Sequence, residues 1–361
     1  MFLTIILFIF ILGTLIYVHE LGHFLAAKIA DIKVEEFAFG FPPKIWGKKI
    51  GETEYKINAV PIGGYVKMLG ESENSNSSRS YSKKAPFARA IVSVSGVLMN
   101  FILAWVILTV GFIFGMTSLT SDPNSIPGEK INPSIIVAGV EDGSPAKNAG
   151  IVPGDKLLKG KTGDDEVTFI STDQLSAFTN KHNGEKVELV YSHQNEQKFI
   201  QVTLLENSKS PLGVEIVDNS SVKVKWFLAP VVAFREIIRV IEVYVIFLGS
   251  FFKQLVSQGQ ISQEVGGPIA IYMLTGTATK AGAMVVTQLI AILSVSLAII
   301  NILPFPALDG GRLVFIILEK LFKRKVVREN IENIIHMVGF VLIILFAVAV
   351  TYKDVMQFII K

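Results

Sequence analysis

The 361-residue chain contains no cysteine. That absence removes thiol nucleophiles, thiolate-bound structural zinc, iron–sulfur clusters and disulfide scaffolds in one step. Charge is scarce as well: 18% of residues are Asp, Glu, Lys or Arg, against about 25% in an ordinary soluble protein. The first 27 residues hold no lysine or arginine, so the basic start of a cleaved secretion signal is missing. The total is nearly balanced, 34 Lys and Arg against 31 Asp and Glu, which gives no global attraction for nucleic acid.

What the chain has instead is apolar length, since 50% of its residues are hydrophobic and they are clustered. Asp, Glu, Lys and Arg are absent from residues 90–121, 281–308 and 333–352, and residues 1–27 contain Glu20 alone. A bilayer core of ~30 Å takes about 20 helical residues. The runs predict four transmembrane helices near 2–27, 90–115, 284–305 and 334–352.

The loops sort by charge. Residues 28–89 carry eleven Lys and Arg, and the 310–333 loop adds Arg312, Lys320, Lys323, Arg324, Lys325 and Arg328. Residues 116–222 carry no Arg, and nine Lys there face fifteen Asp and Glu. The positive-inside rule predicts both basic loops in the cytoplasm, with both termini and the middle region outside. An inner bacterial membrane is the expected location.

The middle region changes character. Short β-rich runs at 134–140, 187–191 and 199–204 alternate with turn chemistry at 141–143, 153–155 and 183–184. Within it, Gly143-Ser-Pro-Ala-Lys-Asn-Ala-Gly-Ile-Val-Pro-Gly-Asp155 resembles the signature of PDZ domains in bacterial proteases. A single PDZ domain is expected over 130–206, binding a peptide or protein by strand addition or serving as a steric cover. After it, Arg235, Glu236, Arg239 and Glu242 lie on one stripe of an apolar helix. That predicts an amphipathic segment at the membrane surface over 222–260.

The polar exceptions carry the chemistry. His19-Glu20-Leu21-Gly22-His23 puts two imidazoles four residues apart, on one side of a helix. Such a pair can hold zinc, with Glu20 placed to take a proton from a water on the metal. Ionisable groups in an apolar helix are costly and by default functional. A catalytic zinc needs a third protein ligand. The sequence after His23 supplies none. Asp309 is the prominent candidate, at the end of Asn301-Ile-Leu-Pro-Phe-Pro-Ala-Leu-Asp309-Gly-Gly-Arg312, with His336 as runner-up. Asn301 can donate to a developing oxyanion or to substrate backbone, and can equally cap or bridge helices.

Together, HELGH in the first helix, one PDZ segment and the Asn301 to Gly311 motif resemble the site-2 protease family, peptidase family M50. The likeness is nearest to its bacterial RseP-type branch of intramembrane zinc metalloproteases. The resemblance implies zinc, one per chain, held by His19, His23 and Asp309, with Glu20 as general base. Phe39-Gly-Phe-Pro-Pro43 and Pro61-Ile-Gly-Gly-Tyr-Val-Lys67 resemble the ends of a membrane-associated β hairpin, expected at about 36–70. Its Gly63, Gly64 and Tyr65 are candidate substrate contacts, and an unpaired edge within residues 55–68 can accept an unwound substrate as an added strand. Ser95-Gly-Val-Leu-Met-Asn100 resembles a second-helix motif, with Val97 where a proline is usual, and Asn100 joins the candidate contacts. Gly266-Gly-Pro-Ile269 resembles the lead into the third helix.

The expected fold is a polytopic α-helical membrane protein with an inserted extracytoplasmic β-rich domain. Its parts are a membrane half over 1–121, the PDZ domain, the interfacial region, and a second membrane half over 261–361. The expected substrates are single-pass membrane proteins in the bilayer, of anti-sigma-factor or remnant-signal-peptide type, already shortened by another protease. Two other classes stay open: an inactive membrane-bound PDZ regulatory protein, and a metal or proton transporter using His19, Glu20 and His23.

Overall fold

The computed structural model describes residues 2–71, 75–120, 123–193, 196–206, 208, 210–259, 265–324, 326–327 and 329–357. Lys325 and Arg328 of the basic loop, and Gln260 at the end of the expected interfacial segment, lie outside the described residues. The backbone divides into two compact units, one of residues 1–108 with 233–361 and the other of residues 109–232.

In chain order, the elements begin with helix α1 (Phe2–Ile29), strands β1 (Val34–Ile50) and β2 (Thr53–Met68), and helix α2 (Pro86–Phe114). After the β-rich unit come α5 to α9, namely Ala229–Gln258, Pro268–Ala281, Ala283–Ile302, Asp309–Phe322 and Glu329–Val355. Among the described residues, four helices are long and apolar enough to cross a membrane: α1, α2, α7 and residues 331–355 of α9. At most 33% of the most apolar window of any of them is buried in the protein, so their remaining apolar surface needs lipid. Helix α7 stops at Ile302, short of the expected residue 305. The reason is local: Leu303 precedes Pro304, whose ring disfavours helical backbone at the residue before it, and Leu303 is extended.

Helix α1 buries Ile11, Leu15, His19, Gly22, His23 and Ala26, at intervals of one, three and four that place them on one stripe. Gly22 lies against α2 so closely that a Cβ there would stand 2.3 Å from the Ser95 carbonyl oxygen. At the other end of the unit, Asp354 of α9 is fully buried and caps a different helix. Its Oδ2 accepts from the Gly267 and Ala270 N–H groups, both at 3.0 Å, at the start of α6. The Gly266 to Ile269 motif is thus a helix start whose free donors are satisfied from α9.

The hairpin is more folded than two plain strands. Residues 36–39 of β1 pair on one side with 64–67 and on the other with 54–57, while 44–50 pair with 53–58. Tyr55, Lys56 and Ile57 therefore have partners on both sides, Phe37, Ala38 and Phe39 on one and Lys48, Gly47 and Trp46 on the other. The segment expected to offer a free edge is interior over residues 55–57. Residues 64–68 are paired only with β1 among the described residues, and they form the open edge.

The second unit carries β3 (Met116–Thr117), β4 (Glu129–Ile131), β5 (Ile135–Val140), α3 (Pro145–Asn148), β6 (Lys156–Thr162) and β7 (Asp165–Thr168). It continues with α4 (Thr172–Lys181), β8 (Lys186–His193), β9 (Glu196–Thr203), β10 (Val214–Asp218) and β11 (Ser221–Lys223). One sheet runs in the order β10-β5-β6-β8-β9, with β7 on β6, and a smaller sheet runs β3-β11-β4. The main sheet thus takes in residues beyond 206, because β10 pairs with β5. Its core gathers Ile135, Val137, Leu157, Leu175, Phe178 and Leu189. The Pro-Gly-Asp turn is held by buried Asp155, which accepts from the Val152 N–H at 3.0 Å and meets His193 Nδ1 at 2.7 Å.

His182, at the C-terminal end of α4, is clamped between two carboxylates, Glu185 at 2.7 Å and Asp165 at 2.9 Å. The hydrogen bond to Glu185 raises its pKa, burial opposes, and Asp165 adds to the rise. A raised folded value means that this stabilisation is complete below the unfolded pKa of ~6.5 and is lost as pH climbs through the folded value. Amide protection over residues 165–185, corrected for intrinsic exchange, is expected to fall from pH 6 to pH 9. His182→Gln should remove that dependence; a pH-independent wild type would refute the clamp.

Candidate metal centre

Helix α1 presents His19 and His23, and Asp309 opens α8 after the proline-broken loop. Asp309 Oδ2 lies 3.1 Å from His19 Nε2 and 3.2 Å from His23 Nε2, and the two Nε2 atoms are 3.2 Å apart. Three donors bound to one ion at about 2.0–2.1 Å in tetrahedral disposition stand roughly 3.3 Å from each other. The triangle has the size that a tetrahedral ion requires. His19 and His23 are 8% and 9% exposed, and Asp309 Oδ2 is buried without a hydrogen bond. A carboxylate at this position supplies the anionic donor that a metal needs.

Three features fit an ion rather than a bare cluster. A Cβ on Gly96 would stand 2.4 Å from His23 Nε2 and 2.8 Å from His19 Cε1, so the missing side chain leaves room at the donors. His23 Nδ1 donates to the Val92 carbonyl at 2.8 Å, which frees the Nε2 lone pair to ligate. His19 Nδ1 faces Asn100, whose amide nitrogen is 3.3 Å away and whose Oδ1 is buried without a partner. Exchanging the two ends of that amide lets Oδ1 accept from the Nδ1–H. Asn100 is fully buried, and its backbone carbonyl accepts from Ser294 Oγ of α7 at 2.8 Å.

Glu20, Asn301, Gly63, Gly64 and Tyr65 line the same cavity of about 460 Å³ as the three donors, with Phe41, Val66 and Leu297 among its apolar walls. Gly64, in the open edge, lies against the general-base candidate: a Cβ there would stand 3.1 Å from Glu20 Cγ. Tyr65 lines the cavity while its hydroxyl donates to Glu36 at 2.8 Å. Two sequence candidates lie elsewhere. Asn100 sits behind His19 rather than in the cavity wall, and His336 Nδ1 accepts from the Ala307 N–H at 2.9 Å. Ala307 has a left-handed backbone, φ 75°, so His336 supports the strained turn just before Asp309. The sequence reading gave no site role to Gly96, the Val92 carbonyl, Glu71 or Arg312; Gly96 and Arg312 stood inside the quoted motifs, and the other two carried no signal.

Four span-capable helices, with His19 and His23 of one of them meeting Asp309 at the start of α8, define a multi-pass membrane protein with a candidate metal centre. The profile of peptidase family M50 matches residues 7–346, and the chain belongs to that family. It is 36% identical over 346 residues to a protein of Clostridium perfringens named a zinc metalloprotease, covering 95% of this chain and 96% of the relative. A protein of the same kind of name from Clostridium acetobutylicum is 32% identical over 360 residues, 98% of each chain. One from Synechocystis is 31% identical over 358 residues, covering 96% of this chain and 93% of the relative.

Gly96→Ala is expected to abolish stoichiometric metal while leaving helical content unchanged, read by elemental analysis and circular dichroism of purified protein. Asn100→Ala should weaken metal binding about 10- to 100-fold. Full metal content in Gly96→Ala would place the ion somewhere else.

Proposed function

We propose that the protein is a zinc metallopeptidase that hydrolyses a peptide bond in or near the transmembrane segment of single-pass membrane proteins. The observation that carries this reading is the meeting of Glu20, the His19-His23-Asp309 triangle and the open strand edge in one cavity. Family membership and the names of the relatives support zinc and proteolysis.

Zinc, when bound, polarises the scissile carbonyl and lowers the pKa of water towards ~7. His19, His23 and Asp309 would hold it, the imidazoles kept in the ligating tautomer by Asn100 and the Val92 carbonyl. Glu20 takes the proton from the attacking water and returns it to the leaving amine nitrogen. Asn301 supplies a donor toward the oxygen where charge develops, an interaction typically worth ~3 kcal/mol.

A substrate helix hides its peptide bonds in its own hydrogen bonds. The edge at residues 64–68 offers replacement backbone partners, so a locally unwound substrate joins the hairpin as an added strand beside Glu20. We further assign the β-rich domain expected at 130–206, with β10 added to its sheet, as a PDZ domain outside the membrane, from its sheet order, its short helix α3 and the Pro-Gly-Asp turn. In that role it excludes substrates whose external domain is intact, so an earlier protease must shorten them. These features support an RseP-type role on anti-sigma-factor or remnant-signal-peptide substrates in the bacterial inner membrane. The basic loops favour a cytoplasmic hairpin, and Arg235, Arg239 and Glu242 of α5 suit the membrane surface, whereas Glu236 of the same expected stripe is buried in the protein.

Intact catalytic residues argue against a purely regulatory protein, and the cavity beside a strand edge favours a peptide over a transported ion. Purified wild type and Glu20→Gln are both expected to hold about one zinc per chain, with cleavage of a single-pass substrate confined to the wild type. Cleavage surviving in Glu20→Gln would sink the mechanism. Asp309→Asn should lose zinc, whereas His336→Gln should keep it.

A further inference from the structure

Glu71 belongs neither to the metal triangle nor to the pairing of the hairpin, yet its carboxylate meets the end of the hairpin and the helix that carries Asp309. Oε2 accepts from the backbone N–H of Met68, the last residue of the open edge, at 3.3 Å. Oε1 forms an ion pair with the guanidinium of Arg312. Arg312 follows Asp309 by three residues on α8, so the two side chains stack one turn apart on neighbouring positions of one face. One carboxylate therefore links the backbone of the edge strand to the first turn of the helix that starts with Asp309.

The surroundings make this link a constraint rather than a surface decoration. The Glu71 side chain is 13% exposed, and Arg312 lines the catalytic cavity. Glu71, Tyr81 and Arg312 also border a second polar cavity of about 390 Å³, whose other walls include Arg89, Glu332 and His336. The pair thus borders both cavities. The later part of α8 is tied differently, through Glu319 to Arg89 of α2 at 2.7 Å. The first turn of α8 is tied at Asp309 to His19 and His23 of α1 and at Arg312 to Glu71, just past the end of the hairpin.

We propose that Glu71 and Arg312 are positioning residues that couple occupancy of the strand edge at residues 64–68 to the placement of Asp309. This rests on the zinc-peptidase reading and deepens it. A strand added to the edge fixes the backbone at Met68, and Glu71 passes that restraint through Arg312 to the α8 turn. An occupied edge then holds the third ligand more firmly, and by reciprocity a bound metal favours an ordered edge.

The test uses the full-length protein in nanodiscs, loaded with zinc, in a Glu20→Gln background where substrate binds without being consumed. The rate of zinc release to a chelator is measured with and without a saturating single-pass substrate peptide, alongside amide exchange over residues 64–69. In the parent, substrate is expected to slow zinc release. Glu71→Ala should release zinc about tenfold faster, exchange faster at residues 64–69, and lose the effect of substrate. Arg312→Lys keeps the charge without the planar fork and should show a reduced substrate effect; it decides the matter if Glu71→Ala does not accumulate. Glu52→Gln breaks the remote pairs with Arg79 and Lys28 in the same hairpin and should behave as the parent. An unchanged substrate effect in Glu71→Ala or Arg312→Lys would overturn the coupling while leaving the peptidase reading intact. A parent protein without zinc would overturn the peptidase reading, and this inference with it.

Discussion

Two imidazoles and one carboxylate meet within 3.2 Å inside a bundle of otherwise apolar helices, and the surrounding architecture is arranged around that meeting. Buried groups of this kind are costly unless they are paired or bind a metal. Their presence explains details that have no purpose in a plain helical bundle. Gly22 lets α1 and α2 approach closely, and Gly96 keeps the donor side clear of a side chain. The Val92 carbonyl and Asn100 hold the imidazoles from behind. The proline-broken loop ends α7 early and delivers Asp309, with His336 supporting the turn through Ala307.

The second organising feature is a strand edge placed at that cluster. The hairpin doubles back so that residues 36–39 are covered on both sides and residues 64–68 on one. A free edge is ordinarily a hazard, since it invites pairing with any extended chain. Under the proposed function, that tendency serves a substrate that arrives as a helix and must expose its backbone. Gly64 presses against Glu20, which brings the open edge and the proposed general base into one wall.

Legibility in the sequence followed the range of the interactions. The His19 and His23 pair was readable because four residues on a helix guarantee a shared face, and the surrounding apolar run made their polarity conspicuous. Asp309 could be named because intramembrane acids are scarce and its neighbours are helix-breaking prolines and glycines. Asn100 was readable as a motif residue but not as the partner of His19, which depends on how α2 crosses α1. The free edge could be narrowed only to residues 55–68, because strand alternation does not reveal which strand has neighbours on both sides. The extension of the β-rich sheet to residue 218 escaped notice for the same reason: β10 pairs with β5, some eighty residues earlier.

By itself the sequence determined the apolar spans, the charge asymmetry of the loops, the helical register of the HExxH motif and the family resemblance. These are local properties, set by composition and by the fixed periods of helix and strand. Only the tertiary structure decided that Asp309 completes a triangle of tetrahedral size, that His336 supports a turn, and that Glu71 reaches Arg312 241 residues away. The physical reason is that metal binding and strand capture need sub-ångström relations between distant segments, and those relations arise when helices pack and a hairpin folds back.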